Sequence, residues 1–79
     1  MPSRLDRQAM ALCQAVYAGT GGRPQRWMAL HALRLELGLE LEEADQVARH
    51  AESLGWLVLN PGPELHSVAI GPDILLAVR

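Results

Sequence analysis

The sequence predicts an α+β domain that is mainly helical, with three amphipathic helices followed by a β-hairpin and a short terminal helix. Three observations predict this class. Apolar residues recur at the three- and four-residue spacing of one helical face in three successive segments, each followed by a glycine. Two short apolar runs bounded by turn residues come next, as is typical of strands. Leu and Ala dominate the apolar residues and Phe is absent, which favours helices.

Length and composition limit the architecture and the location. Seventy-nine residues suffice for one hydrophobic core, so we interpret residues 1–79 as a single domain. No apolar run approaches the roughly 18 residues of a membrane span. A single cysteine cannot form an internal disulfide, and the N-terminal segment has no apolar stretch of the signal-peptide type. We therefore expect a cytoplasmic protein that does not bind a membrane.

The first helix is predicted over residues 4–18. Ser3 and Asp6 have the spacing of a capping box, in which two side chains accept hydrogen bonds from free amide groups at the helix start. The apolar stripe of this helix comprises Leu5, Ala9, Leu12, Cys13 and Val16. We expect Gly19 to end the helix and residues 19–24, which combine glycines with a proline, to form a loop.

Two more helices are predicted over residues 27–37 and 41–54, with Gly38 between them. The stripe of the second helix comprises Leu30, Leu33 and Leu37. The stripe of the third helix comprises Leu41, Ala44, Val47, Ala48, Ala51 and Leu54. Gly55 follows the third stripe, where a C-terminal glycine is expected.

The remaining residues predict a hairpin and a short terminal element. Residues 56–59 are too few for a helix and include aromatic and β-branched types, so they predict a strand. Residues 60–63 form the reversal, and residues 65–70 form the returning antiparallel strand. Pro72 suits the first position of a short helix that extends through Ala77, although residues 74–78 could instead pair as a strand.

This order of elements resembles the winged helix-turn-helix family of small bacterial transcription regulators. The resemblance rests on residues 30–59, with the turn at Gly38 and the sequence Leu54-Gly55-Trp56-Leu57-Val58 leading into the hairpin, and it covers nearly the whole chain. It implies a three-helix fold in which the hairpin is the wing. In that family the helix matching residues 41–54 commonly enters the DNA major groove, and the hairpin touches the adjacent backbone or minor groove.

The resemblance implies a DNA-binding regulator of transcription, or an accessory of one, which binds double-stranded DNA and is often a dimer. Gln46 and Arg49 have suitable chemistry, because Gln pairs with adenine and Arg with guanine in the major groove. Basic side chains of the loop and of the second helix are candidates for phosphate contacts. The candidate DNA-binding residues are Gln46, Arg49, Ser53, His50, Arg34, Arg26, Arg23 and His31.

The charge distribution weakens the DNA-binding interpretation and supports an alternative. Residues 1–34 carry five arginines and one aspartate, whereas residues 35–79 carry two arginines and eight carboxylates. Four of those carboxylates lie within residues 40–45, where they stabilise a helix start but repel DNA phosphates, and the wing has no Arg or Lys. The alternative is a winged-helix protein-interaction module that binds a basic partner protein or a second copy of itself.

The sequence predicts no enzyme, no cofactor and no metal site. Cys13 lies on an apolar stripe, so we expect a small buried side chain. The three histidines, His31, His50 and His66, lie on separate elements without the spacing of a zinc site. Trp27 and Trp56 are expected in the core or at its edge.

Overall fold

The computed structural model describes residues 2–78 and has a mainly helical α+β architecture with a three-stranded antiparallel sheet, as the sequence predicts at this level. The elements in chain order are α1 (Arg4–Thr20), β1 (Met28–Ala29), α2 (Leu30–Leu37), α3 (Leu41–Ser53), β2 (Leu57–Leu59), β3 (Ser67–Ile70) and α4 (Leu75–Val78). The helices pack on one another and on the sheet around a single buried cluster of side chains.

The start of α1 follows the prediction, but its end does not. The Ser3 hydroxyl accepts a hydrogen bond from the Asp6 amide at 3.1 Å, and the Asp6 carboxylate accepts one from the Ser3 amide. The helix continues through Gly19 to Thr20, and Gly21 ends it in the left-handed conformation at φ 64°. A Cβ at Gly19 would lie 2.5 Å from the sulfur of Met28, a side-chain end that is able to shift.

The sheet contains a strand that the sequence analysis missed. The strand order is β1-β3-β2, with Met28 opposite Val68 in the β1–β3 pair. Residues 27–37 were predicted as one helix, but β1 occupies its beginning and α2 begins at Leu30, whose amide donates to the His66 carbonyl. Pairing with β3 overrides the local helical pattern at the start of this segment. A two-residue strand is too short to show a period of its own, so the sequence does not indicate it.

The predicted stripes supply most of the core. Ala44, Val47, Ala48 and Ala51 of α3 are fully buried, in one cluster with Ala9, Leu12, Cys13 and Val16 of α1. Two members of the third stripe are corrected: Leu41, the first residue of α3, is 68% exposed, and Leu54, which follows its last residue, is also exposed. Trp56 packs at the core edge, whereas Trp27 is 49% exposed and lies outside the cluster.

The terminal element is a helix, so the strand alternative for residues 74–78 is wrong. Ile74, which precedes α4, and Ala77 within it are buried, while Leu75 and Leu76 are exposed. The terminal segment therefore closes the core with one face, through side chains three residues apart.

Gly71 is the position where the fold leaves no room for a side chain. A Cβ there would lie 2.5 Å from the Gly55 carbonyl oxygen and 2.9 Å from the Leu57 nitrogen, both of which are backbone atoms. Gly71→Ala should therefore lower the free energy of unfolding by about 2 kcal/mol, measured by urea denaturation.

Gly19→Ala is the matched control. Its Cβ would meet only the flexible end of Met28, and Ala is the better helix former, so its free energy of unfolding should change by less than about 1 kcal/mol. Equal effects of the two substitutions would contradict this account of the packing.

Candidate functional site

An open cleft of about 570 Å³ lies between α3 and the hairpin that joins β2 to β3. Its apolar lining comprises Leu30, Leu41, Pro63 and Leu65. Its polar lining comprises Glu42, Asp45, Gln46, Arg49 and Glu64. The cleft therefore combines an apolar surface with three carboxylates and one guanidinium group.

The buried face of α3 determines which side chains reach the cleft. Residues 44, 47, 48 and 51 face the core, so residues 42, 45, 46 and 49 lie on the opposite side of the helix. The Glu43 side chain caps the helix start by accepting a hydrogen bond from the Glu40 amide at 3.3 Å. Gln46 and Arg49 are both exposed, as the sequence predicts.

Asn60 holds the hairpin wall of the cleft in place. Its Oδ1 accepts hydrogen bonds from the His66 and Ser67 amides at 2.8 and 3.0 Å. Its Nδ2 donates to the Glu64 carbonyl at 2.8 Å and to the Pro61 carbonyl at 3.2 Å. One side chain thus bridges both sides of the hairpin loop and fixes the backbone of Glu64, a role that the sequence analysis, which identified only a reversal, did not foresee.

The cleft is acidic. Arg49 donates from Nε to the Asp45 carboxylate at 3.0 Å, so the single positive charge is balanced within the helix. Glu42 and Glu64 are exposed, and neither forms an ion pair within residues 2–78. Because an exposed ion pair contributes about 0–1 kcal/mol, the Arg49–Asp45 pair can open without a large cost.

Besides Arg49, three of the candidate DNA-binding residues make side-chain hydrogen bonds within the fold. Arg34 is half-buried and donates from Nη1 to the Leu39 carbonyl at 3.2 Å, which ties it to the α2–α3 turn. The Ser53 hydroxyl donates to the His50 carbonyl at 2.6 Å, at the end of α3. The His50 ring lies with Nε2 2.6 Å from the Asp6 carboxylate, which connects α3 to α1.

The other candidate residues lie on exposed surfaces. Arg23 and Arg26 are in the loop between α1 and β1, beside a smaller cavity at the end of α1, and His31 is exposed on α2. Of the eight candidates, the cleft lining includes Gln46 and Arg49 alone. The sequence analysis missed the cleft's apolar side chain Leu41, which it assigned to the core, and the wing residues Pro63 and Glu64.

Outside this cleft, the described part of the chain contains one free cysteine, Cys13, which is buried. Burial raises the pKa of the Cys13 thiol to about 12, so Cys13 is a neutral core side chain at physiological pH. Within residues 2–78 no group of three or more His, Cys, Asp and Glu side chains is arranged to hold a metal ion. Across the same residues no helix is both long enough and apolar enough to cross a membrane.

Comparisons with known proteins found no match to a protein-family model, to a curated protein or to a solved structure.

The Asp6–His50 contact makes a testable contribution to pH dependence. The hydrogen bond to the His50 ring, followed by the one from the Ser3 amide, lowers the pKa of Asp6 below its ordinary value of 3.8. Because folding lowers this pKa, the carboxylate stabilises the fold above the unfolded value, and the contribution is lost as pH falls through the folded one.

Asp6→Asn should therefore lower the free energy of unfolding near neutral pH, and its difference from the original chain should shrink below pH 3.8. Urea denaturation at several pH values measures both. Glu36→Gln, which removes an exposed carboxylate on α2, is the control and should leave the pH dependence nearly unchanged. A difference that is constant across this pH range would contradict the assignment.

Proposed function

We propose that this chain is a winged-helix protein-interaction module, and that the cleft between α3 and the hairpin binds a positively charged segment of a protein. The element order α1-β1-α2-α3-β2-β3 and the strand order β1-β3-β2 support the winged-helix assignment, with the β2–β3 hairpin as the wing. The cleft lies between the two elements that the resemblance implies for binding. The absence of an enzymatic activity and the cytoplasmic location stay predictions.

The observation that carries the proposal is that three carboxylates line the same cleft as the exposed side chain of Leu41; they belong to Glu42, Asp45 and Glu64. Carboxylates at the rim of a cleft attract cationic side chains and repel phosphates. Burial of an exposed leucine on binding stabilises a complex by about 1.5–3 kcal/mol. A protein segment that carries Arg or Lys beside an apolar side chain satisfies both features.

DNA binding is the second candidate function, as for a transcription regulator or its accessory. One observation favours it: Gln46 and Arg49 are exposed side by side on α3, and the weak pair with Asp45 leaves Arg49 available to a base. Phosphate contacts would then fall to Arg23 and Arg26, since the wing carries no Arg or Lys.

The test is a titration with a synthetic peptide of alternating Arg and Leu, with a Glu-for-Arg peptide as the matched probe. The Arg peptide should bind and the Glu peptide should not. Glu42→Gln/Glu64→Gln should weaken binding about tenfold, because both carboxylates face the peptide. Glu36→Gln/Glu52→Gln, which makes the same charge change at exposed positions outside the cleft, should have much less effect.

A parallel titration with mixed-sequence duplex DNA at low and moderate salt separates the two functions. DNA binding that weakens steeply with salt and is lost in Gln46→Ala/Arg49→Ala, without any binding of the Arg peptide, would replace the proposal with the DNA-binding function. Peptide binding without DNA binding at low salt is the expected result.

A further inference from the structure

We infer that the segment which fills the cleft is residues 23–27 of a second copy of this chain, so that the protein associates head to tail. This inference rests on the proposed function, since it names the occupant of the same cleft. It joins two exposed surfaces of opposite charge that lie on different parts of the described chain.

Residues 23–27 form an exposed basic and aromatic knob that follows the end of α1. Arg23, Pro24, Gln25, Arg26 and Trp27 are all exposed, and Trp27 is large and apolar. Within residues 2–78 none of the Arg23, Arg26 and Trp27 side chains makes a hydrogen bond or an ion pair. The knob is therefore available for contact with another molecule.

The backbone holds the knob in a defined turn. The Arg23 amide donates to the Thr20 carbonyl at 3.3 Å, and the Arg26 amide donates to the Arg23 carbonyl at 3.3 Å. A segment that is already ordered loses less conformational entropy on binding than a flexible one. This order lowers the cost of inserting the knob into a cleft.

The knob and the cleft match in charge and in apolar character. The knob offers two guanidinium groups, and the cleft offers Glu42 and Glu64, which are outside any ion pair in the described residues. Trp27 offers apolar surface to the exposed Leu41. Both surfaces are exposed in the same molecule and would be covered together by one contact between copies.

The contact has a heterologous geometry. Arg23 and Arg26 flank the cavity at the end of α1, whereas the cleft lies between α3 and the hairpin. After a single contact, the copy that has inserted its knob therefore keeps a free cleft, and the copy that has received it keeps a free knob. Such contacts grow into open chains or close into rings. Because only five residues of one copy enter the contact, we expect a weak association that appears between about 10 μM and about 1 mM.

Sedimentation equilibrium at low salt tests the inference. The average mass of the original chain should rise with concentration and fall when salt is added. The knob variant Arg23→Ala/Arg26→Ala and the cleft variant Glu42→Gln/Glu64→Gln should each associate at least tenfold more weakly. Arg4→Ala/Arg7→Ala, which removes the same charge from exposed positions on α1, is the control and should associate like the original chain.

A mixture of the two variants provides the decisive measurement. The cleft variant keeps an intact knob and the knob variant keeps an intact cleft, so the mixture should form a 1:1 dimer and grow no further. A mixture that stays monomeric, or an original chain that is monomeric at every concentration, would overturn the inference. Association that is unaffected by both variants would also overturn it and would place the contact elsewhere, for example at Leu75 and Leu76.

The two proposals fail separately in these experiments. If the chain stays monomeric while the Arg and Leu peptide binds the cleft, then the cleft takes a different protein and the proposed function stands. If neither occurs, both proposals fall.

Discussion

The packing of α3 against α1 is the constraint on which the rest of the structure depends. Ala44, Ala48 and Ala51 have small side chains, so α3 packs closely against α1. The two helices thus share one buried cluster, although the sequence contains no Phe. Polar contacts beside this cluster, from Asp6 to His50 and from Gln8 to Glu43, fix the rotation of α3. With that rotation fixed, Glu42, Gln46 and Arg49 lie on the side of α3 that faces the hairpin.

The carboxylates of the cleft come from two separate parts of the chain, the start of α3 and the hairpin. Carboxylates at the start of α3 stabilise the helix, because they interact favourably with its dipole. They also accept hydrogen bonds from free amides, as Glu43 does from the Glu40 amide. The hairpin brings Glu64 to the same place from a distant part of the sequence. A charge pattern that stabilises a helix locally thus becomes a property of the cleft, and under the proposed function it favours a cationic partner over a polyanion.

The sequence was informative where the structure is local and periodic. The capping box of Ser3 and Asp6, the buried faces of α1 and α3 and the glycine at position 38 all follow from spacing within one helix. The errors concern contacts between distant segments. β1 is held by its pairing with β3, and the role of His50 depends on Asp6 in α1. Arg34 likewise bonds outside its own helix, to the Leu39 carbonyl. No spacing within one element encodes such partners.

Asn60 holds the shape of the wing through contacts with the backbone, whereas the charge of the wing comes from another residue, Glu64. The four hydrogen bonds of Asn60 use backbone groups of the hairpin, whereas the Glu64 side chain makes no ion pair within residues 2–78. The charge at position 64 is therefore independent of the contacts that Asn60 makes. Under the proposed function, a lineage with this fold can reverse the charge of its wing by one substitution there, and so change the charge of the partner that it recognises, without rebuilding the scaffold.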